Sequence, residues 1–127
     1  MNLPEALLYS KDHEWARPEP NDAVRIGITD YAQDALGDVV YVQVPAVGTV
    51  IGRGDSFAEV ESTKSVSDIY APLSGTVIAV NDALGESPQL VNEDPYGEGW
   101  LCVIAMSDTN QLDELLDADG YRALIDG

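Results

Sequence analysis

A seven-residue segment occurs twice in this chain, and it restricts the fold more than any other feature. Pro45-Ala46-Val47-Gly48-Thr49-Val50-Ile51 returns as Pro72-Leu73-Ser74-Gly75-Thr76-Val77-Ile78, identical at five of seven positions and 27 residues further on. Asp55 and Asp82 keep the same spacing. Each copy feeds a Pro/Gly turn into a β-branched strand. Such turn-plus-strand patterns also arise by chance in β sequences. The structural alternative is a pair of similar β units packed as two quasi-symmetric halves. Lys64 lies between the copies, at the turn that would link the halves.

The rest of the chain extends the β pattern. Leu7 to Tyr9 forms a weak first strand. His13 to Arg17 and Ala23 to Ile28 flank the turn-rich Pro18-Glu19-Pro20-Asn21-Asp22 and pair as a hairpin. Thr29-Asp30 opens a short helix near 30–36. Gln33 stands three residues after Asp30, as in a capping box, and Gly37 is placed for a left-handed cap. Asp38 to Val44 reads as a strand with Val40, Val42 and Val44 on one face. Strands follow at 49–51, 57–61, 66–70, 76–80 and 100–106. Many short strands split by Gly and Pro predict a mostly β fold, a sandwich or barrel. The period then changes. Leu112, Leu115 and Leu116 share one helical face, and Tyr121, Leu124 and Ile125 another, with Gly120 as the expected break between C-terminal helices. Their expected job is to cover a sheet face or edge.

Length and charge limit the function. At 127 residues, 45% of them hydrophobic, the chain suits one domain, 1–127, with an ordinary core. Twenty-three acidic residues against six basic ones leave a net charge of −17. That disfavours nucleic acid and anionic membranes, both of which demand a basic face. The acidic surface either solvates the protein or steers it toward basic partners. No apolar run approaches the ~20 residues of a membrane span. The N-terminus shows no basic region followed by an apolar one, and Cys102 is the sole cysteine. The expectation is a cytoplasmic protein, or one of the mitochondrial matrix in a processed organellar form.

The chain offers no self-contained catalytic constellation. His13 is its only histidine, and Cys102 sits in the apolar run Leu101-Cys102-Val103-Ile104, where a thiol is expected to be buried and inert. One His and one Cys make no zinc cluster. Gly52-Arg53-Gly54 lacks the rest of any nucleotide fingerprint. Lys64 therefore draws attention. Only Lys11 and Lys64 are lysines, and Lys64 lies between two strand-like segments, where a hairpin presents it to solvent. An unmodified lysine is a hydrated cation and a poor nucleophile near neutral pH. It gains a use when acylated, which removes its charge.

Val60-Glu61-Ser62-Thr63-Lys64-Ser65-Val66-Ser67-Asp68-Ile69-Tyr70-Ala71-Pro72-Leu73-Ser74-Gly75 resembles the lipoylation segment of the glycine cleavage system H protein family. His13-Glu14-Trp15, the run from Gly27 to Gln33, Leu36-Gly37-Asp38-Val39-Val40, the run from Asn92 to Trp100, and Tyr121-Arg122 match the family pattern in order. The resemblance implies a barrel-sandwich hybrid of two antiparallel sheets, as in lipoyl domains. It implies lipoic acid bound covalently to Lys64, on an arm of about twelve bonds that reaches about 14 Å. Such a carrier shuttles an aminomethyl group in glycine catabolism and one-carbon metabolism, and is not itself a catalyst. The implied partners are a pyridoxal-phosphate glycine decarboxylase, an aminomethyltransferase, dihydrolipoamide dehydrogenase and a lipoyl or octanoyl ligase or transferase. A monomer is expected.

The resemblance also places Glu14 and Asp68 at acidic positions lining a cleft that shelters the loaded arm. Asp12 departs from the small hydroxyl residue expected beside that motif. Biotin carriers favour methionines around the lysine, whereas Thr63 and Ser65 flank it here, and dehydrogenase lipoyl domains usually carry Asp before it. A relay supplying lipoate to other enzymes, and an acidic interaction domain with Lys64 incidental, are the alternative functions.

Overall fold

The computed structural model describes residues 2–126. Among the described residues nine strands form two antiparallel sheets, in chain order β1 (Leu8–Tyr9), β2 (Glu14–Glu19), β3 (Ala23–Ile28), β4 (Val39–Gln43), β5 (Val50–Ile51), β6 (Ser56–Ser62), β7 (Val66–Tyr70), β8 (Gly75–Val80) and β9 (Cys102–Met106). The larger sheet has the order β1-β2-β3-β9-β8-β5, and the smaller β4-β6-β7. Three α-helices, α1 (Asp30–Leu36), α2 (Leu90–Glu93) and α3 (Ala118–Asp126), are short, as are the 3-10 turns Asp82–Gly85 and Thr109–Glu114. The mostly β fold with two antiparallel sheets agrees with the sequence-based expectation.

The repeated segment has a definite place in this topology. Its two copies are the lower legs of one long hairpin. Val50 pairs with Thr76 and Ile51 with Gly75. Exchanging the copies turns the first pair into Thr49 and Val77, which are joined by a bond from the Val77 N–H to the Thr49 carbonyl, 2.9 Å. The halves are thus related by a local two-fold within β5 and β8. Above them the same hairpin leaves the large sheet and continues as β6 and β7 of the small one, where Glu61 pairs with Val66.

The copies use their glycines differently. Gly48 has φ +94 with open space around it, so its role is conformational. Gly75 has no such φ. A side chain there would collide with the Ala105 backbone carbonyl, so β8 requires glycine to lie close against β9.

One core cluster draws on both sheets, with Val24, Ile26, Val60, Leu73, Val77 and Ile104 all fully or almost fully buried. A second, aromatic cluster gathers Tyr9, Trp15, Tyr96 and Tyr121 with Leu3, Leu7 and Ala118. Tyr9 and Tyr121 stack with ring centroids 4.8 Å apart, which seals α3 against β1.

Three local expectations are corrected. The strand 39–43 does not keep Val40, Val42 and Val44 on one inner face. A register shift between Val39 and Tyr41 buries Val39 and Val42 and leaves Val40 49% exposed, because a bulge moves one residue out of the alternation. The C-terminal break falls at residues 115–117, where Leu116 bridges to Tyr9 as extended backbone, and Gly120 lies inside α3. The cap of α1 is Thr29, whose hydroxyl accepts from the Ala32 N–H at 3.1 Å, while Gln33 bonds the Asp30 carboxylate rather than closing a capping box. Gly37 does take positive φ (+84), though with an extended ψ.

Candidate functional site

Lys64 stands at the apex of the crossing hairpin, exposed. The turn beneath it is built by Ser62, which is only 6% exposed. The Ser62 hydroxyl accepts from the N–H groups of Lys64 and Ser65, both at 3.1 Å, and donates to the Ser65 carbonyl at 3.2 Å. Its one donor and two acceptor sites are all used. A backbone bond from the Ser62 N–H to the Ser65 carbonyl, 2.8 Å, closes the loop. The Thr63 N–H donates to the Asp38 carbonyl at 3.0 Å, which ties the apex to the segment between α1 and β4.

The lysine stem lies over Gly37. A Cβ at Gly37 would sit 2.8 Å from Lys64 Cε, the mobile end of that side chain, while the backbone itself favours glycine there, at φ +84 with an extended ψ. Lys64 takes part in neither ion pair found among the described residues, Arg25–Glu19 and Arg53–Glu114. The result is a primary amine on a four-carbon stem above a hydrogen-bonded backbone. Ser62 was not singled out from sequence, although a serine two residues before a turn residue is an ordinary signal for a side-chain-closed turn.

A separate cleft of about 470 Å³ is bounded by Tyr9, Ser10, Glu14, Arg53, Ala71 and Glu114 among others. Glu14 is 2% exposed, on the first residue of β2. His13 precedes it with φ +73, a conformation that turns the chain so that Glu14 faces inward. Ser10 donates its hydroxyl to Glu14 Oε1 at 2.6 Å and accepts from the Glu14 N–H at 3.0 Å. Burial pushes the Glu14 carboxyl up to about 7; the Ser10 bond opposes this, the Asp12 charge adds to it, and a backbone bond from Tyr70 opposes it. Asp12 also borders the cleft.

Asp68 does not border it. Asp68 is exposed on β7, opposite Glu59, and lines a separate shallow depression with Gln43, Ser56 and Phe57. The structure therefore places Glu14 in the larger cleft and Asp68 on another surface.

The remaining polar groups have structural partners. His13 Nδ1 meets the Tyr121 hydroxyl at 2.7 Å, and that hydroxyl meets Thr29 Oγ1 at 2.8 Å, so the only histidine joins α3 to the cap of α1. Burial lowers its pKa. Cys102 is fully buried, and burial raises its thiol to about 12, which makes it inert as expected. Among the described residues no group of three or more His, Cys, Asp and Glu is placed to hold a metal. No described helix is long and apolar enough to cross a membrane.

A small β sandwich holding an exposed amine on a hydrogen-bonded hairpin apex has the build of a carrier domain whose cargo rides on a lysine. The family profile described as glycine cleavage H-protein matches residues 7–127. The chain belongs to that family, and is the carrier component of the glycine cleavage system. It is 56% identical to a glycine cleavage system H protein of Thermus thermophilus over 126 residues, covering 99% of this chain and 98% of that one. The Mycobacterium avium protein of the same name is 57% identical over 128 residues, covering 98% and 97%. The crystal structure of a glycine cleavage system H protein from Mycobacterium marinum superposes with a TM-score of 0.89 at 42% identity, over 98% of this chain and all of that one.

Proposed function

We propose that Lys64 carries lipoic acid in amide linkage, and that the chain presents this arm in turn to a pyridoxal-phosphate glycine decarboxylase, an aminomethyltransferase and dihydrolipoamide dehydrogenase. When bound, lipoate supplies a dithiolane that can be opened, loaded and reoxidised. The chain itself is non-catalytic. A lipoyl or octanoyl ligase or transferase installs the arm. Compartment follows that of the partners, the cytoplasm in a bacterial setting.

The single observation that carries this is the presentation of Lys64. Its own N–H is held by the Ser62 hydroxyl and that of the preceding Thr63 by the Asp38 carbonyl, while its amine is in no ion pair among the described residues. Amide formation needs an amine that an enzyme can reach, and a fixed attachment point raises the concentration of the arm's tip at a docked site.

Glu14 serves the cleft. A carboxyl buried beside Ser10 with its pKa near neutrality is readily held as a carboxylate when a cationic amine enters and lowers that pKa. Asp68 joins Glu59 on the acidic face of the hairpin that bears Lys64, where it meets basic surfaces of partners.

Intact-mass measurement of the protein from a lipoylation-competent cell tests the proposal. The expected result is one lipoyl adduct, absent in Lys64→Arg. An unmodified wild type alongside a functional ligase overturns it.

A further inference from the structure

We infer that Asn92 is a positioning residue for Lys64, acting through the segment Gly37–Val39; this deepens the lipoyl-carrier proposal and rests on it. Asn92 is partly buried on α2, far from the apex in sequence. Its side chain makes three hydrogen bonds. Oδ1 accepts from the Val39 N–H at 2.8 Å, and Nδ2 donates to the Gly37 carbonyl at 2.8 Å and to Gln33 Oε1 at 3.0 Å. Both amide donors and one acceptor site are used, and a flipped amide would face donors with donors and acceptors with acceptors. The network therefore admits one orientation.

The clamped segment is the one on which the apex rests. Asp38, between the two clamped residues, receives the Thr63 N–H. Gly37, whose carbonyl Asn92 holds, lies under the Lys64 stem. Val39, whose N–H Asn92 accepts, pairs with Ser62, the residue that closes the turn. One side chain thus fixes three successive residues, and each of them contacts the Ser62–Lys64 turn. Ser62 shapes the turn from within, and Asn92 sets where the whole turn sits against the body of the protein. An enzyme that must align Nζ with an activated acyl carbon depends on that placement, because small misplacements of a reacting atom are costly in rate.

Asn92→Asp is the sharpest test. The carboxylate still accepts from the Val39 N–H, but it turns the two donor bonds into contacts between acceptors. The assay is modification of the unmodified protein by a purified lipoate ligase, which first joins lipoate to ATP as lipoyl-AMP with release of pyrophosphate. The Nζ–carbonyl bond forms as the acyl group leaves AMP, and the amine gives up its proton to solvent. The expected result is a roughly tenfold lower kcat/KM for modification. Exchange at the Thr63 and Lys64 amides should become faster, while acetic anhydride should acetylate Lys64 at the wild-type rate. That last readout separates positioning from loss of the amine's own reactivity. If Asn92→Asp does not fold, Asn92→Ala serves instead: it removes all three side-chain bonds without adding a charge, so the same enzymatic loss is expected. Wild-type transfer kinetics in the folded variant overturn the inference. A wild-type protein that the ligase leaves unmodified overturns the carrier proposal instead, so the two failures are distinct.

Discussion

Replacing Glu14 by Gln isolates the free energy of one buried carboxyl. The folded-state value of about 7 lies above the ordinary 4.5. Between those values the folded protein binds a proton that the unfolded chain does not. The associated stability is therefore fully present below about pH 4.5 and is lost as pH rises through 7. At about 1.4 kcal/mol for each pH unit separating the two values, the loss is about 3 kcal/mol once Glu14 is ionised. Glutamine resembles the protonated acid in shape and charge. Its Oε1 still accepts from the Ser10 hydroxyl, so it lacks the ionisation while keeping that contact. The assay is thermal unfolding of wild type and Glu14→Gln from pH 4.5 to 8.5. The variant should gain on the wild type by roughly 10 °C between pH 5 and 8, at about 4 °C per kcal/mol for a chain of this length. Parallel curves across that range would refute the placement of Glu14 as a carboxyl buried against its charge.

Three further outcomes are expected. Lys64→Arg should shift stability by no more than ~0.5 kcal/mol, because the side chain is exposed and free of ion pairs; a large drop in Tm would make Lys64 structural. Gly75→Val should cost ~3 kcal/mol or more through collision with the Ala105 carbonyl, whereas Gly48→Ala, which meets open space but keeps φ +94, should cost only about 1–2 kcal/mol; equal losses in denaturant titration would contradict the different roles of the two glycines. Ser62→Ala should cost about 1 kcal/mol and should speed amide exchange at Lys64 and Ser65 specifically; exchange that stays slow at both positions would show that the hydroxyl does not close the turn.

The family and the exposed hairpin lysine were legible in the chain because they rest on local chemistry. Turn residues, β-branched runs and the flanks of Lys64 are properties of neighbours in sequence, and the strands they predict are nearly all present within a residue or two. The repeated segment already signalled paired halves. Errors appeared where the deciding contact came from elsewhere. Gly75 needs glycine because of Ala105 on another strand, not because of its own φ. The break before α3 falls at Leu116 because Tyr9, at the other end of the chain, recruits that residue into a bridge. The inner face of β4 follows a bulge against β6 that alternation alone does not reveal.

The site divides along the same line. Sequence by itself determined that one lysine sits between two strands in a chain with no competing reactive cluster. Tertiary structure decided that the hairpin crosses from one sheet to the other, that Gly37 and Asp38 support its apex, and that Asn92 holds that support. It also placed Glu14 and Asp68 on the borders of two different depressions. The physical reason is range. A turn's conformation is set by the residues within it, while its position relative to the rest of the molecule is set by hydrogen bonds and packing from segments that only folding brings near.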